Sequence, residues 1–585
     1  MKYNNLCVRI KLAVGNFNQF FLQKNLKANW YSKWAICILL IVVLPISCSK
    51  KKENIQPPPS PPPALKLTSA KINGQSLISE SFNISTAPII KFLFSAPVDR
   101  NTVSGNFSLS SPNGIVSFNP TFENNDSIVS VQSSTPLNFL TKYIVSLSTG
   151  LKSKAGGSLQ SATLIAFVTQ IDSTDKFPRI TDDALLDLIQ KQTFKFFWDF
   201  GHPVSGMARE RNTSGETVTT GGTGFGVMSI VAAVDRNFIT RAQGLQRINT
   251  IVDFLKNNCS RYHGAFSHWI NGSTGATIPF SSNDDGGDLV ETSLLMQGLL
   301  CARQYFNLPD AGESLLRTNV NVIWDGIEWN WYRQGNQNVL YWHWSPTYGF
   351  QINQQIRGWN EALIVYALAA SSNTDSIPSV VYHNGWANNG AIKNGATYYG
   401  VQLPLGPNLG GPLFFSHYSF LGINPHNLTD TYADYFVQNT SHSLINYNYC
   451  VANPSNFYGY SSVNWGLTAS DDNISGYKAH APDNDDGVIT PSAAISSLPY
   501  TPTQSMNAIK FFYYTLGDKL WKDYGFIDGF NLNDQWFAGS FLAIDQGPQI
   551  VMIENYRSGL LWNLFMSCPE IKRGMKQLGF QSPNL

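Results

Sequence analysis

Three acidic side chains stand where a sequence has to justify them. The stretch Asn283–Cys301, NDDGGDLVETSLLMQGLLC, reads as a polar entry loop running into a helix. Asn283, Asp284 and Asp285 are helix-capping types, and Gly286-Gly287 let the chain turn. Leu289, Met296, Leu299 and Leu300 recur at helical spacing, with Leu294 and Leu295 between them. Asp288 and Glu291, three residues apart, then share one face of the first turn. The plain reading is that both acids complement the helix dipole. The other reading follows from the apolar helix, where Glu291 is costly unless it faces a polar cleft. Glu361 repeats the pattern in RGWNEALIVYALAA, an acid directly before Ala362, Leu363, Ile364 and Val365. Carboxylates on two sides of a cleft are the equipment of glycoside hydrolysis: one protonates the leaving oxygen while the other activates water. Glu291 and Glu361, on helices that turn apolar at once, are placed for the raised pKa such an acid needs. Spacing does not assign acid and base between them.

Around these acids lie residues suited to a sugar. YWHWSPTYGF holds Trp342, His343, Trp344 and Tyr348 in a run that resists a regular helix or strand. A loop lining a cleft and ordinary core packing both account for such rings. Arg357 and Trp359 lead into Glu361. His343 reads as a hydrogen-bonding residue rather than a metal ligand. The run Asp483–Gly487, DNDDG, lacks the EF-hand spacing, and no HExxH, GxSxG or phosphate loop occurs, so no metal and no cofactor is expected. The net charge is +1 with no basic stripe, which argues against nucleic acid as the partner. A monomer is expected.

The 585 residues require more than one domain. Residues 1–48 form a signal region. Trp34–Ile46, WAICILLIVVLPI, is too short to span a bilayer comfortably and fits a secretory h-region. Ser47-Cys48 followed by Ser49 and three lysines resembles a bacterial lipoprotein signal, with Cys48 lipidated and Pro45 where Leu or Val is usual. An ordinary signal peptide with an incidental Cys is the alternative. Residues 49–65 include PPPSPPP, an extended spacer. Residues 66–170 alternate short β-rich runs (Ile89–Phe94, Ile115–Phe118, Ile128–Val131, Tyr143–Leu147 and Leu164–Val168) with turn residues, as in a β-sandwich. Residues 171–585 are helical, with expected helices at Thr181–Phe200, Gly222–Arg236, Arg241–Asn257, Gly287–Phe306, Arg357–Ala370, Asn427–Asn439, Thr503–Leu516, Asn533–Ile544, Glu554–Met566 and Glu570–Leu578. Many helices with long loops suit an α/α toroid whose loops build a cleft at one end; an irregular bundle is the alternative. No CxxC pair occurs among the seven cysteines, and a disulfide among the last four stays open.

FSAPVD at Phe94–Asp99, Pro136-Leu137 before Tyr143, Ala155-Gly156-Gly157 and Phe167-Val168-Thr169 resemble the bacterial Ig-like module. DDGGDLVETSLLMQGLL, RGWNEAL, PLFFSHYSFL, NWGL with Ala469-Ser470-Asp471, and IENYRSGLLWNLF together resemble the glycoamylase-type domain of glycoside hydrolase family 144. That resemblance runs from about residue 180 to 580. It implies a mainly α fold, an (α/α)6 barrel preceded by the small all-β sandwich. It implies Asp288, Glu291 and Glu361 as catalytic acids. Trp342, His343, Trp344, Tyr348, Arg357, Trp359, Trp465 and Arg557 are the implied sugar-binding residues. The implied activity is hydrolysis of β-1,2-glucan, read here as an endo-β-1,2-glucanase. Glu361, on a different helix from Asp288 and Glu291, is their natural opposing partner across the cleft, so inversion is expected. The signal region leads to the expectation of a periplasmic or cell-surface lipoprotein touching membrane only through its anchor. Alternatives are an exo-enzyme releasing sophorose from gluco-oligosaccharides and a non-catalytic carbohydrate-binding lipoprotein.

Overall fold

The computed structural model describes residues 59–77 and 80–585. Trp34–Ile46 and Cys48 lie outside the described residues. The chain divides into two compact units between Gln170 and Ile171.

The first unit packs two five-stranded sheets face to face. Alternation selects the inner face: Ile90, Phe92 and Phe94 on one strand, Tyr143, Val145 and Leu147 on another, with every second residue pointing out. Pairing is antiparallel except that Thr163–Thr169 runs parallel to Glu80–Ile84. The run Ile115–Phe118, expected as one strand, is split. Gly114–Val116 belongs to one sheet and Phe118–Glu123 to the other, so the chain crosses the sandwich at Ser117. Leu65, expected at the end of the spacer, is fully buried in the sandwich core, its N–H donating to Ser158 O.

In the second unit helices alternate between two characters. α1 (Asp182–Trp198), α3 (Arg241–Asn257) and α5 (Ala311–Asp325) each bury one stripe, as outer helices do. α2 (Thr220–Asp235), α4 (Leu289–Tyr305) and α6 (Leu363–Ser371) are buried nearly all round. The alternation continues. α7 (Ser379–Val381) runs on as a π-helical turn outside, and the 3-10 turns Leu413–Ser416 and Ser419–Leu421 lie inside. α8 (Tyr435–Ala452) lies outside, α9 (Pro491–Ser496) inside, α10 (Pro502–Lys510) outside; after the short α11 (Gly517–Leu520), α12 (Ala543–Ser558) returns inside. Six inner segments thus form an (α/α)6 ring in the order α2, α4, α6, the 3-10 pair, α9, α12. The ring closes because α12 packs back on α2. Its least regular segment is held by polar contacts: Ile364 N–H donates to Ser419 Oγ at 3.0 Å, and His417 Nε2 lies 3.0 Å from Ser497 Oγ. The α2–α4 seam is unusually tight. A Cβ on Gly224 would sit 2.2 Å from Leu294 O, and one on Gly298 would sit 2.1 Å from Gly224 O, so only glycine fits either position.

α13 (Leu560–Ser567) and α14 (Pro569–Leu578) close one end of the ring, where inner helices finish. Trp562 Nε1 donates to Phe420 O at 2.7 Å, and Arg303 at the end of α4 pairs with Glu570. The N-termini of the inner helices therefore share the other end, and the site is there.

Several expected boundaries move. α6 begins at Leu363, because Arg357–Ala362 forms bends and turns that leave Glu361 just ahead of the helix. Of Asn533–Ile544, the residues up to Leu542 are loop and a short strand and only Ala543 and Ile544 are helical; α12 runs on through Pro548, whose lost hydrogen bond is tolerated inside a packed helix. Glu554–Met566 is broken at Gly559, which adopts φ 68°. The helix expected over Asn427–Asn439 starts only at Tyr435, capped by Asp434. Cys259, Cys301, Cys450 and Cys568 are free thiols. Among the described residues no helix is long and apolar enough to cross a membrane.

Candidate active site

The first wall of the mouth is built around His268. Asp288 is the N-cap of α4 rather than part of its first turn: Oδ1 accepts from Glu291 N–H at 2.9 Å. Its other oxygen takes Trp342 Nε1–H at 3.2 Å and His268 Nδ1–H at 3.1 Å. One oxygen of Asp288 thus caps the helix and the other is turned to His268 and Trp342. Glu291 Oε2 accepts from Gly221 N–H at 2.6 Å and from the Thr219 hydroxyl at 3.2 Å, and its Oε1 lies 3.9 Å from His268 Nε2. Burial alone would lower the His268 imidazolium. The charges of Glu291 and Asp288, with the bond to Asp288, outweigh it and hold the pKa up at about 9. Phe280 stacks on the imidazole at 4.2 Å. The Glu291 carboxyl is pushed up by burial and by the Asp288 charge, against the pull of His268.

Glu361 enters from the adjacent inner helix. Apart from its own backbone N–H, no hydrogen-bond donor among the described residues reaches its carboxyl. Burial, with smaller contributions from Glu291 and Asp288, pushes it up to about 7. It is thus a buried acid whose titration is moved up toward neutrality.

The second wall was not anticipated. In the ring order, α12 stands across from α6, whereas α4 is beside it. The first turn of α12 carries Asp545, whereas the carboxyls whose charges reach Glu361 are those of Glu291 and Asp288. Asp545 lies in the first turn of α12, with Oδ1 accepting from the Ser492 hydroxyl at 2.6 Å. Asp528 accepts from Asp471 N–H at 2.6 Å, and Asp471 is held by Arg211 at 3.0 Å and by Ser540. Burial raises both Asp528 and Asp545, and their mutual proximity makes them titrate as a pair. Tyr418 lies between the walls: burial pushes its hydroxyl up, and Asp545, Glu361 and Glu291 all add to the shift. Asp545 had a signal, an acid at the head of an apolar helix like Glu361. Placing that helix start at Glu554 hid it. His268 is a lone histidine in FSHW with no pattern to mark it.

The implied sugar-binding residues separate into two groups. Trp342 and Trp344 are half-buried and Tyr348 is exposed; an exposed Trp331 lies 6.0 Å from Trp344 and stacks on His263 at 3.7 Å. Arg357 is half-buried, its guanidinium donating to Asn384 O and Asn388 Oδ1. The others offer no surface to a ligand. His343 is buried 3.0 Å from Asp284. Trp359 is packed among Trp386, Phe420 and Tyr435, and Trp465 is fully buried with Nε1 donating to Gln504 O. Arg557 lies in the last turn of α12, away from the mouth, bound at 2.6 Å to both Asp183 and Asp187 of α1. Their sequence motifs reflect packing and helix cross-linking.

The Glycoamylase family model ("Putative glucoamylase") matches residues 353–569, and a bacterial Ig-like domain model matches residues 68–169. The endo-β-1,2-glucanase from Chitinophaga pinensis, solved with sophorotriose and glucose, is 50% identical; the match covers 70% of this chain and 100% of that chain, with a TM-score of 0.68. The chain belongs to the glycoamylase-like glycoside hydrolases of the family 144 type. A β-1,2-glucanase structure from Parabacteroides distasonis is 35% identical, covering 89% of this chain and 73% of that one, with a TM-score of 0.67. The exo β-1,2-glucooligosaccharide sophorohydrolase (non-reducing end) of Parabacteroides distasonis is 44% identical over 433 residues. That match takes in 70% of this chain, which spans 60% of the length of that relative.

Proposed function

We propose that this chain hydrolyses β-1,2-linked glucan in endo fashion, with Glu361 as the general acid. One observation carries the reading. A carboxyl pushed up to about 7 lies at a barrel mouth that also carries a second buried acidic pair, in a chain that covers the whole of an endo-β-1,2-glucanase at 50% identity. As water bonds to C1, the C1–O bond breaks and the leaving oxygen takes the Glu361 proton. The proton lost by water passes to the Asp528–Asp545 pair, directly or through a relay. Asp288 and Glu291 hold His268 charged on the first wall, where it donates toward sugar or carboxylate oxygens. An exo reading, releasing sophorose, is favoured by the 44% identity to the sophorohydrolase. Chromatography of early products from linear β-1,2-glucan, run beside β-1,3-, β-1,4- and α-glucans, tests both. A ladder of sophoro-oligosaccharides from the β-1,2 polymer alone supports endo action. Sophorose alone from the first minutes supports the exo reading, and no product would refute both.

We also propose that Cys48 is lipidated and tethers the protein to a bacterial membrane. Cys48→Ala should move the full-length protein from the membrane to the soluble fraction; unchanged membrane association would contradict the anchor.

A further inference from the structure

The hairpin Ala469–Asp472 with Gly476–Ala479 carries Asp471 into the second wall. Its next residue, Asp472, points elsewhere, toward His480 and Asp486. One ligand-type atom from each of the three falls within 4.8 Å of the others. Asp472 and His480 are buried, their side chains 0% exposed. Their bonding is conspicuously incomplete. Asp472 Oδ1 is satisfied by Ile474 N–H and by Ser475, but its Oδ2 makes no hydrogen bond. Asp486 Oδ2 takes Lys478 Nζ at 2.7 Å, but its Oδ1 makes none. Neither ring nitrogen of His480 makes a hydrogen bond: Nε2 is 3.8 Å from Asp472 Oδ2, and Nδ1 is 3.2 Å from Asp486 Oδ1 without the alignment for one. Buried polar atoms left unpaired are rare and call for a partner. Here they converge on one another.

The geometry points to a divalent-cation site formed by Asp472, His480 and Asp486. Two carboxylate oxygens and one imidazole nitrogen suit Zn²⁺ or Mn²⁺ better than Ca²⁺, which prefers an all-oxygen shell. The sequence led to the expectation of no metal, because Asp483–Gly487 lacks EF-hand spacing; this proposal departs from that expectation, since the set is not such a loop. It joins one residue of that run to Asp472 of the hairpin and to His480, the residue that follows it. Lys478 occupies the outer oxygen of Asp486 and leaves the inner one free, as an orienting neighbour of a ligand does. The role is structural: the cation would tie the Asp483–Gly487 loop to the strand that presents Asp471, and so fix the floor of the second wall. The competing arrangement is a His480 imidazolium bridging two carboxylates with no metal.

Metal content of the purified full chain decides between them. The protein is stripped with EDTA, incubated with ZnCl₂ or MnCl₂, dialysed and measured by plasma mass spectrometry, with melting temperature followed in parallel. About one equivalent retained per chain, with a rise in Tm on re-addition, is expected. Asp472→Asn should weaken retention at least tenfold; Asp486→Asn, at a less buried position, serves if the first variant does not fold. Failure of the native protein to retain either cation, or retention unchanged in a folded variant, would overturn the site.

Discussion

The two walls of the barrel mouth are built from the same material and differ in what neutralises it. On the first, Asp288 and Glu291 face a histidine, so two acids share one cation and the group stays charged. On the second, Asp528 and Asp545 face each other, with Arg211 one residue removed on Asp471, so the pair is pushed toward holding a proton. Glu361 stands on the first side but lacks a cation of its own. The lesson is that burial raises a buried carboxyl on either wall, and a neighbouring cation offsets that rise only in part.

The largest effects should come from the groups that move protons. Glu361→Gln and Asp545→Asn should each lower kcat by about 10²–10⁴-fold with little change in Tm, because shape is kept and proton transfer is lost. Glu291→Gln should fall in the same range, through loss of the charge that keeps His268 protonated. Near-normal turnover in Asp545→Asn would mean that the walls do not work as a pair.

A pH profile sharpens the contrast. With the Glu361 carboxyl at about 7, kcat/KM should decline as pH rises through that value, since the acid must be protonated. A profile flat to pH 9 would remove Glu361 as the acid. Stability gives the opposite kind of signal from His268. Its folded pKa, about 9, lies above the ordinary value of 6.5, so its contribution is fully present below 6.5 and lost as pH rises through 9. The Tm of the native protein should drop across that window more than that of His268→Gln; parallel curves would contradict the charged histidine. Arg557→Ala should do least to turnover: catalysis unchanged, and stability reduced by roughly 1–3 kcal/mol, because Asp183 and Asp187 are open to solvent but the buried Gln190 Oε1 loses its donor. A raised KM would return Arg557 to the sugar site.

The first wall was legible because each acid heads an apolar run, a conflict visible in one dimension. The barrel was legible for the same reason: inner helices are apolar all round and outer ones are striped. The second wall stayed hidden for physical reasons. Pro548 disguises the start of α12, and Asp528 sits in loop sequence whose burial comes only from contacts distant in the chain. Opposition across the mouth was expected between Glu361 and the Asp288–Glu291 pair; Asp545 stayed out of view as a further candidate, since ring position depends on the 3-10 pair at Leu413–Leu421, too irregular to show helical periodicity. Burial also separated the aromatic residues. Trp359 and Trp465 look like Trp342 and Trp344 in sequence and differ only in what the fold lays over them.

The opposed walls make one stereochemical commitment. Acid and base on different sides of a toroid leave room for water, roughly 6.5–9.5 Å between carboxyls, and water then attacks the face opposite the leaving oxygen. Anomeric-proton NMR during the first minutes of β-1,2-glucan hydrolysis reads the outcome directly. The α-anomer should appear first and then mutarotate. An initial β-anomer would contradict the pairing of Glu361 with the second wall.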